Sequence, residues 1–343
     1  MDSALGTGTQ KIEKRVGGSA GNTLAVLSQF PMTKTWLMAP MASKEASKFL
    51  IQDFESRNIK TTICAFRSNV QHPQVTYFIH TEDENSRTVV NYNSIKELTF
   101  EEFKRKFEFA CTVEIASLNS SMPYNWVHLE GHNREAKKMI DYIDSRIWRN
   151  KAIISVRLER PYKKGLETLI QKADVIFFSH IFAESKGYNR DGAYDFLKVM
   201  SRFCKDTAYL FCTWGTYGAL CFHNKTKRIY SASALQVPVV VDSIGADDTF
   251  IACAIYGLAQ RIGLLRKRKT RKESNINNKI DSGFGFLPDE IQYDDFDNND
   301  NDDIFTHNID NNDNDDIFTH NIDSINSNTG SMRSFRSNSR KRQ

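Results

Sequence analysis

No Cys-x-x-Cys pair occurs in this 343-residue sequence, and its six cysteines (Cys64, Cys111, Cys204, Cys212, Cys221, Cys253) stand in apolar contexts at unrelated spacings. That pattern excludes a sequence-encoded zinc or dithiol redox motif and reads as reduced core thiols of a cytoplasmic protein. A run of about 18 apolar residues is also missing, so no membrane-spanning helix is expected. The N-terminus has no charged-then-apolar signal pattern. Charge of one sign is absent from whole segments. Residues 261–272 hold seven Lys/Arg and no acid, whereas residues 281–323 hold fourteen Asp/Glu and no Lys or Arg. The formal charge of +4 conceals this segregation. Such blocks repel themselves and stay solvated.

What is present begins with the octapeptide DSIGADDT at 242–249. It follows the β-branched residues 239–241 and leads into the apolar run FIACAIY at 250–256. The expectation is a strand, a small-residue turn and the start of a buried helix. The opening amides of such a helix can receive a phosphate. A carboxylate at the same turn can take a proton from a hydroxyl, so the combination points to phosphoryl transfer to an alcohol.

Residues 16–260 are rich in apolar and aromatic residues and are long enough for one α/β domain. A glycine turn at 17–22 precedes a helix with Leu24, Leu27 and Phe30 on one face. A short strand is expected over 35–41 and a helix over 43–57. Residues 75–80 and 87–92 are β-prone and flank a polar turn, which predicts a hairpin. A charged helix is expected over 99–110. From 125 onward, short apolar strands (126–130, 152–156, 175–178, 209–213) alternate with helical patterns (134–148, 164–171, 191–203). That alternation implies a parallel sheet covered on both faces. Residues 1–15 form no obvious element. Beyond 260 the fold signal ends, and a 13-residue unit at 297–309 recurs unchanged at 310–322. The unit offers too little apolar surface for a solenoid, so 261–343 reads as a disordered low-complexity tail.

Four segments, in order, resemble the PfkB or ribokinase-type carbohydrate kinases, and among them most closely the ketohexokinases (fructokinases). They are GGSAGN at 17–22; SRTV at 86–89 with WVHLEG at 126–131; CTWGTYGA at 212–219; and DSIGADD at 242–248. The resemblance implies a ribokinase-like α/β fold, with a mostly parallel central sheet, helices on both faces and a small β lid at 75–92. It implies that Asp248 is the general base and that Gly245, Ala246 and Asp247 form the anion hole. It implies sugar contacts at Gly17, Gly18, Ser19, Asn22 and Arg87, and nucleotide contacts at Trp214, Gly215 and Gly218. The cofactors it implies are ATP and Mg²⁺. The partners are a small sugar and ATP, with a homodimer formed through the lid.

Each segment alone has a plainer reading. The glycine turn could bind nothing, Arg87 could be a solvated hairpin charge, Gly215 and Gly218 a strand-end turn, and Asp248 a helix cap. His128 and His132 read as core or surface histidines, and no metal site is expected. The basic tail clusters invite nucleic acid, but the acidic block between them and the lack of interleaved aromatics argue against it.

The sequence departs from the family in four places. Asp247 stands where the family usually has Gly. Two like charges about 4 Å apart repel by about 4 kcal/mol at an effective dielectric near 20, so a slowed turnover is expected. The family's first strand, which ends in a sugar-binding Asp, has no counterpart before Val16. The closing helices of the adenine pocket have none after residue 260. The Asn-x-x-Glu motif is absent from SHIF at 179–182. The expected activity is ATP-dependent phosphorylation of a ketose hydroxyl, of the fructose to fructose 1-phosphate type. The alternative is a truncated or catalytically impaired kinase-derived protein that binds sugar or nucleotide.

Overall fold

The computed structural model describes residues 13–80, 87–118, 123–159, 166–238, 240 and 242–261. Helix α1 (Ser19–Leu27) is followed by the short strands β1 (Thr35–Trp36) and β2 (Pro40–Met41), α2 (Lys48–Ser56), β3 (Ile59–Lys60) and β4 (Ala65–Phe66). Next come the hairpin strands β5 (Val75–His80) and β6 (Arg87–Tyr92), then α3 (Phe100–Leu118). The α/β run contains β7 (Trp126–Glu130), α4 (Ala136–Asp144), β8 (Ile153–Leu158), α5 (Leu166–Lys172), β9 (Val175–Ser179), α6 (His180–Glu184), α7 (Ala193–Ser201) and β10 (Tyr209–Thr213). Strands β11 (Ala219–His223) and β12 (Arg228–Ala232) precede the last described helix, α8 (residues 246–261). No helix among the described residues is long and apolar enough to cross a membrane.

The main sheet has six strands in the order β12-β11-β10-β9-β8-β7. Strands β7 to β10 are parallel, while β11 and β12 return antiparallel. The sheet is therefore mixed. Because consecutive parallel strands are neighbours, every crossover helix winds the same way and lands on one face. There Ile154, Val156, Leu158, Ile176, Phe178 and Leu210 pack against Phe103, Met139, Ile140, Leu169 and Phe196. Alternation sends the intervening residues to the other face. That side packs Ile153, Val175, Phe177 and Phe211 against Ile251 and Ile255 of α8, with Leu27 of α1 beside them. Helix α4, within the helical pattern at 134–148, buries Ala136, Met139, Ile140 and Ile143.

Several expectations are corrected. The single strand over 35–41 is two short ones: β1 pairs with β3 and β2 with β4. Pro40 opens β2 and has no N–H to continue a ladder. The strand expected over 239–241 is not formed at Val240, which is coil and exposed; Val239 and Val241 lie outside the described residues. The hairpin over 75–92 is present, with Tyr77 opposite Val90 and His80 opposite Arg87; its turn lies outside the described residues. So do residues 1–12, the C-terminal basic clusters and the 13-residue repeat.

Candidate active site

The face of the sheet turned toward α1 and α8 carries a polar ladder. Residues two apart on β7 (Trp126, His128, Glu130) lie beside residues two apart on β8 (Ile153, Ser155, Arg157). The parallel register sets His128 against Ser155 and Glu130 against Arg157. Trp126 Nε1 donates to Ser155 Oγ at 2.7 Å, and Ser155 Oγ lies 2.7 Å from His128 Nδ1. Indole N–H is only a donor, so the serine oxygen accepts from Trp126 and its own proton is available to His128. His128 Nε2 then faces Glu130 Oε1 at 3.7 Å, too far for a hydrogen bond.

The first turn of α8 meets this ladder at its carboxyl-terminal end, where open α/β sheets place their ligands. Arg157 Nη1 donates to Asp248 Oδ1 at 2.6 Å, and Asn22 Nδ2 of α1 donates to Asp248 Oδ2 at 2.8 Å. Gly245 turns the chain into α8 with φ +81°, and a Cβ there would stand 3.7 Å from Asn22 Nδ2 and 4.0 Å from Asp248 Oδ2. A side chain at 245 would be strained by that φ, although its Cβ would only touch the Asn22–Asp248 pair. Thr249 closes the turn by donating its N–H and its hydroxyl to the Gly245 carbonyl, each at 2.8 Å. Ile244 N–H donates to Asp242 Oδ1 at 2.8 Å, and Arg15 pairs with Asp242 at 3.1 Å.

Burial and charge set the protonation of this cluster. Burial pushes the Asp248 carboxyl above the ordinary carboxylate range, with the Glu130 charge acting in the same direction. The Asn22 amide and the Arg157 guanidinium pull it back only in part. An acid raised in this way is better suited to accept a proton near neutral pH. Burial also pushes Glu130 up, but His128, Arg157 and His132 outweigh it and hold Glu130 below its usual value. Burial would lower Arg157, but Glu130, Asp248, Glu159 and Asp247 keep it charged.

The residues singled out from sequence fall in three places. Asn22, Gly245 and Asp248 come together, with Gly17, Gly18 and Ser19 at the start of α1. Ala246 and Asp247 open α8. Ala246 is exposed, and Asp247 Oδ2 is 4.0 Å from Arg157 Nη2. Trp214, Gly215 and Gly218 form the turn between β10 and β11, with the Trp214 ring 6.1 Å from that of His180. A Cβ on Gly218, at φ +95°, would come within 1.9 Å of the Ala232 carbonyl oxygen, so only glycine fits there. Arg87 opens β6 in the hairpin. A cavity of about 350 Å³ has Asn22, Ile244, Gly245 and Thr249 in its lining, together with Lys14, Arg15, Phe49 and Arg57. Asp248 does not line it but sits one hydrogen bond behind Asn22. Among the described residues, no group of three or more His, Cys, Asp or Glu is placed to hold a metal ion.

A model of the pfkB family carbohydrate kinases matches residues 6–271. The chain belongs to the pfkB family of carbohydrate kinases. Its fold is ribokinase-like α/β, and the family chemistry is ATP-dependent phosphorylation of a sugar. Mouse ketohexokinase is 26% identical to this kinase over 250 residues, spanning 71% of this chain and 78% of that protein. Adenosine kinase from Anopheles gambiae, solved with P1,P4-di(adenosine-5) tetraphosphate, superposes with a TM-score of 0.56 at 16% identity, covering 71% of this chain and 73% of its own. Fructokinase from Xylella fastidiosa, solved with bound ATP, gives a TM-score of 0.52 at 16% identity, covering 71% and 74%.

Arg157 was not legible as a site residue, although one signal was available. It is the sole charged residue in the six-residue strand β8, all of which is buried. Glu130 lies in the 126–131 segment, which carries no expected site residue. Its signal was a carboxylate two residues from His128 at the end of a strand, with period two placing both on one face.

Proposed function

We propose that this pfkB kinase phosphorylates a ketose hydroxyl, of the fructose to fructose 1-phosphate type, with Asp248 as general base. The observation that carries the reading is the Asn22–Asp248 hydrogen bond of 2.8 Å beside the positive-φ turn at Gly245. It joins the glycine turn at the start of α1 to the acid at the start of α8. Asn22, with Gly17, Gly18, Ser19 and Arg87, binds the sugar. Asp248 receives the hydroxyl proton. The amides of Gly245, Ala246 and Asp247 stabilise charge on the phosphoryl oxygens. Trp214, Gly215 and Gly218 support the nucleotide.

ATP supplies the phosphoryl group. The positive-φ glycine and the helix start suit its phosphates. Magnesium needs few protein ligands when phosphates hold it, which fits a chain without a three-acid cage among its described residues. The kinase domain spans 16–260, with 1–15 and the tail 261–343 outside it, and the protein works in the cytoplasm. Tyr77, Ile79, Val90 and Tyr92 on the two-stranded hairpin are about half exposed. A second copy of the chain covering that surface would give a homodimer through the lid.

ADP release measured with fructose and ATP tests the reading. Asp248→Asn is expected to lower kcat by about 10²–10⁴-fold with nucleotide binding intact. A second reading is favoured by Asp248 having both oxygens engaged while buried: a kinase-derived binding protein. Calorimetric binding of ATP or sugar by the wild-type chain, with no ADP release from any ketose, would select it.

A further inference from the structure

A buried guanidinium costs several kcal/mol unless it is paired, and Arg157 is only 8% exposed. Its nearest partner is not the residue opposite it on the sheet but Asp248, reached from α8 at 2.6 Å. The two Asp248 oxygens therefore have unlike partners. Oδ1 is held by a cation from the sheet side. Oδ2 is held by the neutral amide of Asn22, a residue that lines the cavity. Both bonds to the ionised carboxylate are charge-assisted, but only the one on Oδ1 joins two opposite charges, so Oδ2 is the easier oxygen to expose.

We propose that Arg157 is a positioning residue that fixes Asp248 by Oδ1 and so makes Oδ2, now capped by Asn22, the oxygen that receives the substrate proton. This deepens the kinase reading and rests on it. The incoming hydroxyl takes the place of the Asn22 amide on Oδ2, and the released amide turns to the sugar. The hydroxyl O–H bond then breaks toward Oδ2. Its oxygen bonds to the γ-phosphorus as the bond to ADP breaks. Arg157 stays on Oδ1 throughout and offsets the charge of Asp248 before transfer.

Glu130 stands directly across from Arg157 in register and acts on it through its charge. The charged and titratable groups facing the pair are Glu130 and His128 on β7, His132 beyond it, Glu159 after β8, and Asp247 on α8. Cys212 on β10 lies within the field of Asp247. Among these neighbours Arg157 is the permanent cation, so its removal leaves the carboxylates with only the histidines to balance them.

The test is the pH dependence of kcat and KM for wild type, Arg157→Met and Arg157→Lys with fructose and ATP. For Arg157→Met, kcat is expected to fall by about 10²-fold, the scale of a misplaced reacting group. The sugar KM should change by less than about threefold, because the interaction matters in the transition state. The acid limb of the rate profile should move to higher pH. Arg157→Lys should return that limb toward its wild-type position and recover part of the rate. A kcat fall with the limb unmoved and no recovery by Lys indicates a merely structural role and overturns the proposal. So does an unchanged or increased kcat in Arg157→Met, which would make the ion pair a lock on the base.

A second measurement does not need turnover. Aspartate side chains labelled with ¹³C are titrated by NMR, with the Asp248 signal assigned by its loss in Asp248→Asn. The Asp248 midpoint should rise in Arg157→Met, or in Arg157→Gln if the first variant does not fold. An unmoved midpoint overturns the proposal whatever the activity. A raised midpoint together with no ADP release by wild type from any ketose removes the kinase reading alone. It leaves the Arg157 hold on Asp248 standing.

Discussion

The two faces of the central sheet are made from the same strands and serve different ends. On β8, Ile154, Val156 and Leu158 point into a continuous apolar core under the crossover helices. Ile153, Ser155 and Arg157 point the other way, and two of those three are polar or charged. On the first face, burial of hydrocarbon is favourable without further conditions. On the second, each buried polar group requires a partner, and the partners come from β7, α1 and α8. The first face therefore carries stability, while the second uses part of that stability to hold charges at chosen positions.

The comparison can be broken most strongly from the apolar side. Phe178 is 2% exposed, and its ring stands 5.3 Å from Phe182 and 5.1 Å from Phe196. Phe178→Ala is expected to cost about 3–5 kcal/mol, the range for large-to-small core changes. Urea unfolding measures it. A loss below about 1 kcal/mol would mean that this face is not the stable one.

On the polar side the matching change is Ser155→Ala. It removes the acceptor of Trp126 Nε1 and the neighbour of His128 Nδ1. Leaving a buried donor unsatisfied costs about 1–3 kcal/mol. Urea unfolding should show that loss, and the ketose KM should move little because Ser155 lies one ladder step from Arg157. A stability change near zero would place water where the hydroxyl had been and show that the Trp126 donor does not depend on Ser155.

Much of the α/β alternation was legible because strands β7 to β10 and the helices between them announce their own periods. The helical pattern at 134–148 forms α4, whose face at Ala136, Met139, Ile140 and Ile143 is buried. The returning strands β11 and β12 were not anticipated. Most of their residues are only half-buried, so the alternation in ALCFH and RIYSA is blurred. The β-branched text near Val240 misled in the opposite sense: propensity without a neighbouring strand does not make a ladder. At the site, local turns betrayed Gly245, Asn22 and Asp248. The Arg157–Asp248 pair spans 91 residues of sequence. Only the register of β8 against the packed α8 brings it together, and no local pattern encodes that meeting.

An ion pair off the sheet sharpens the contrast between buried and screened charge. Arg67, just after β4, hydrogen-bonds Glu102 near the start of α3. The guanidinium, and after it the Thr99 amide, hold the Glu102 carboxyl down at about 2 against the upward push of burial. An unfolded glutamate titrates near about 4.3. The folded value is the lower one, so the contribution is complete above about 4.3 and is lost as the pH falls toward 2. Because the pair is partly exposed, about 1 kcal/mol is expected after screening. Arg67→Met should be less stable than wild type by that amount at neutral pH, and the gap should close in acid. A gap as large at about pH 2.5 as at neutral pH would assign the effect to packing of the arginine stem.

The smallest effect is expected where the sequence suggested a large one. Asp247 brings a carboxylate to the anion turn, and an isolated like charge there would slow transfer by about 10³-fold from a repulsion of about 4 kcal/mol. The structure changes the sum. Asp247 Oδ2 lies 4.0 Å from Arg157 Nη2, and its side chain is 46% exposed. An attraction of similar size and the screening by water both oppose the repulsion. Arg157 is shared with Asp248, so the offset is incomplete, and a residual slowing is expected rather than none. Asp247→Gly should therefore raise kcat by no more than about threefold, equivalent to about 0.7 kcal/mol. In an Arg157→Gln background the same substitution should raise kcat by more than it does in wild type, since the compensating cation is gone. Equal gains in the two backgrounds would show that Arg157 does not neutralise Asp247 and that solvent alone screens it.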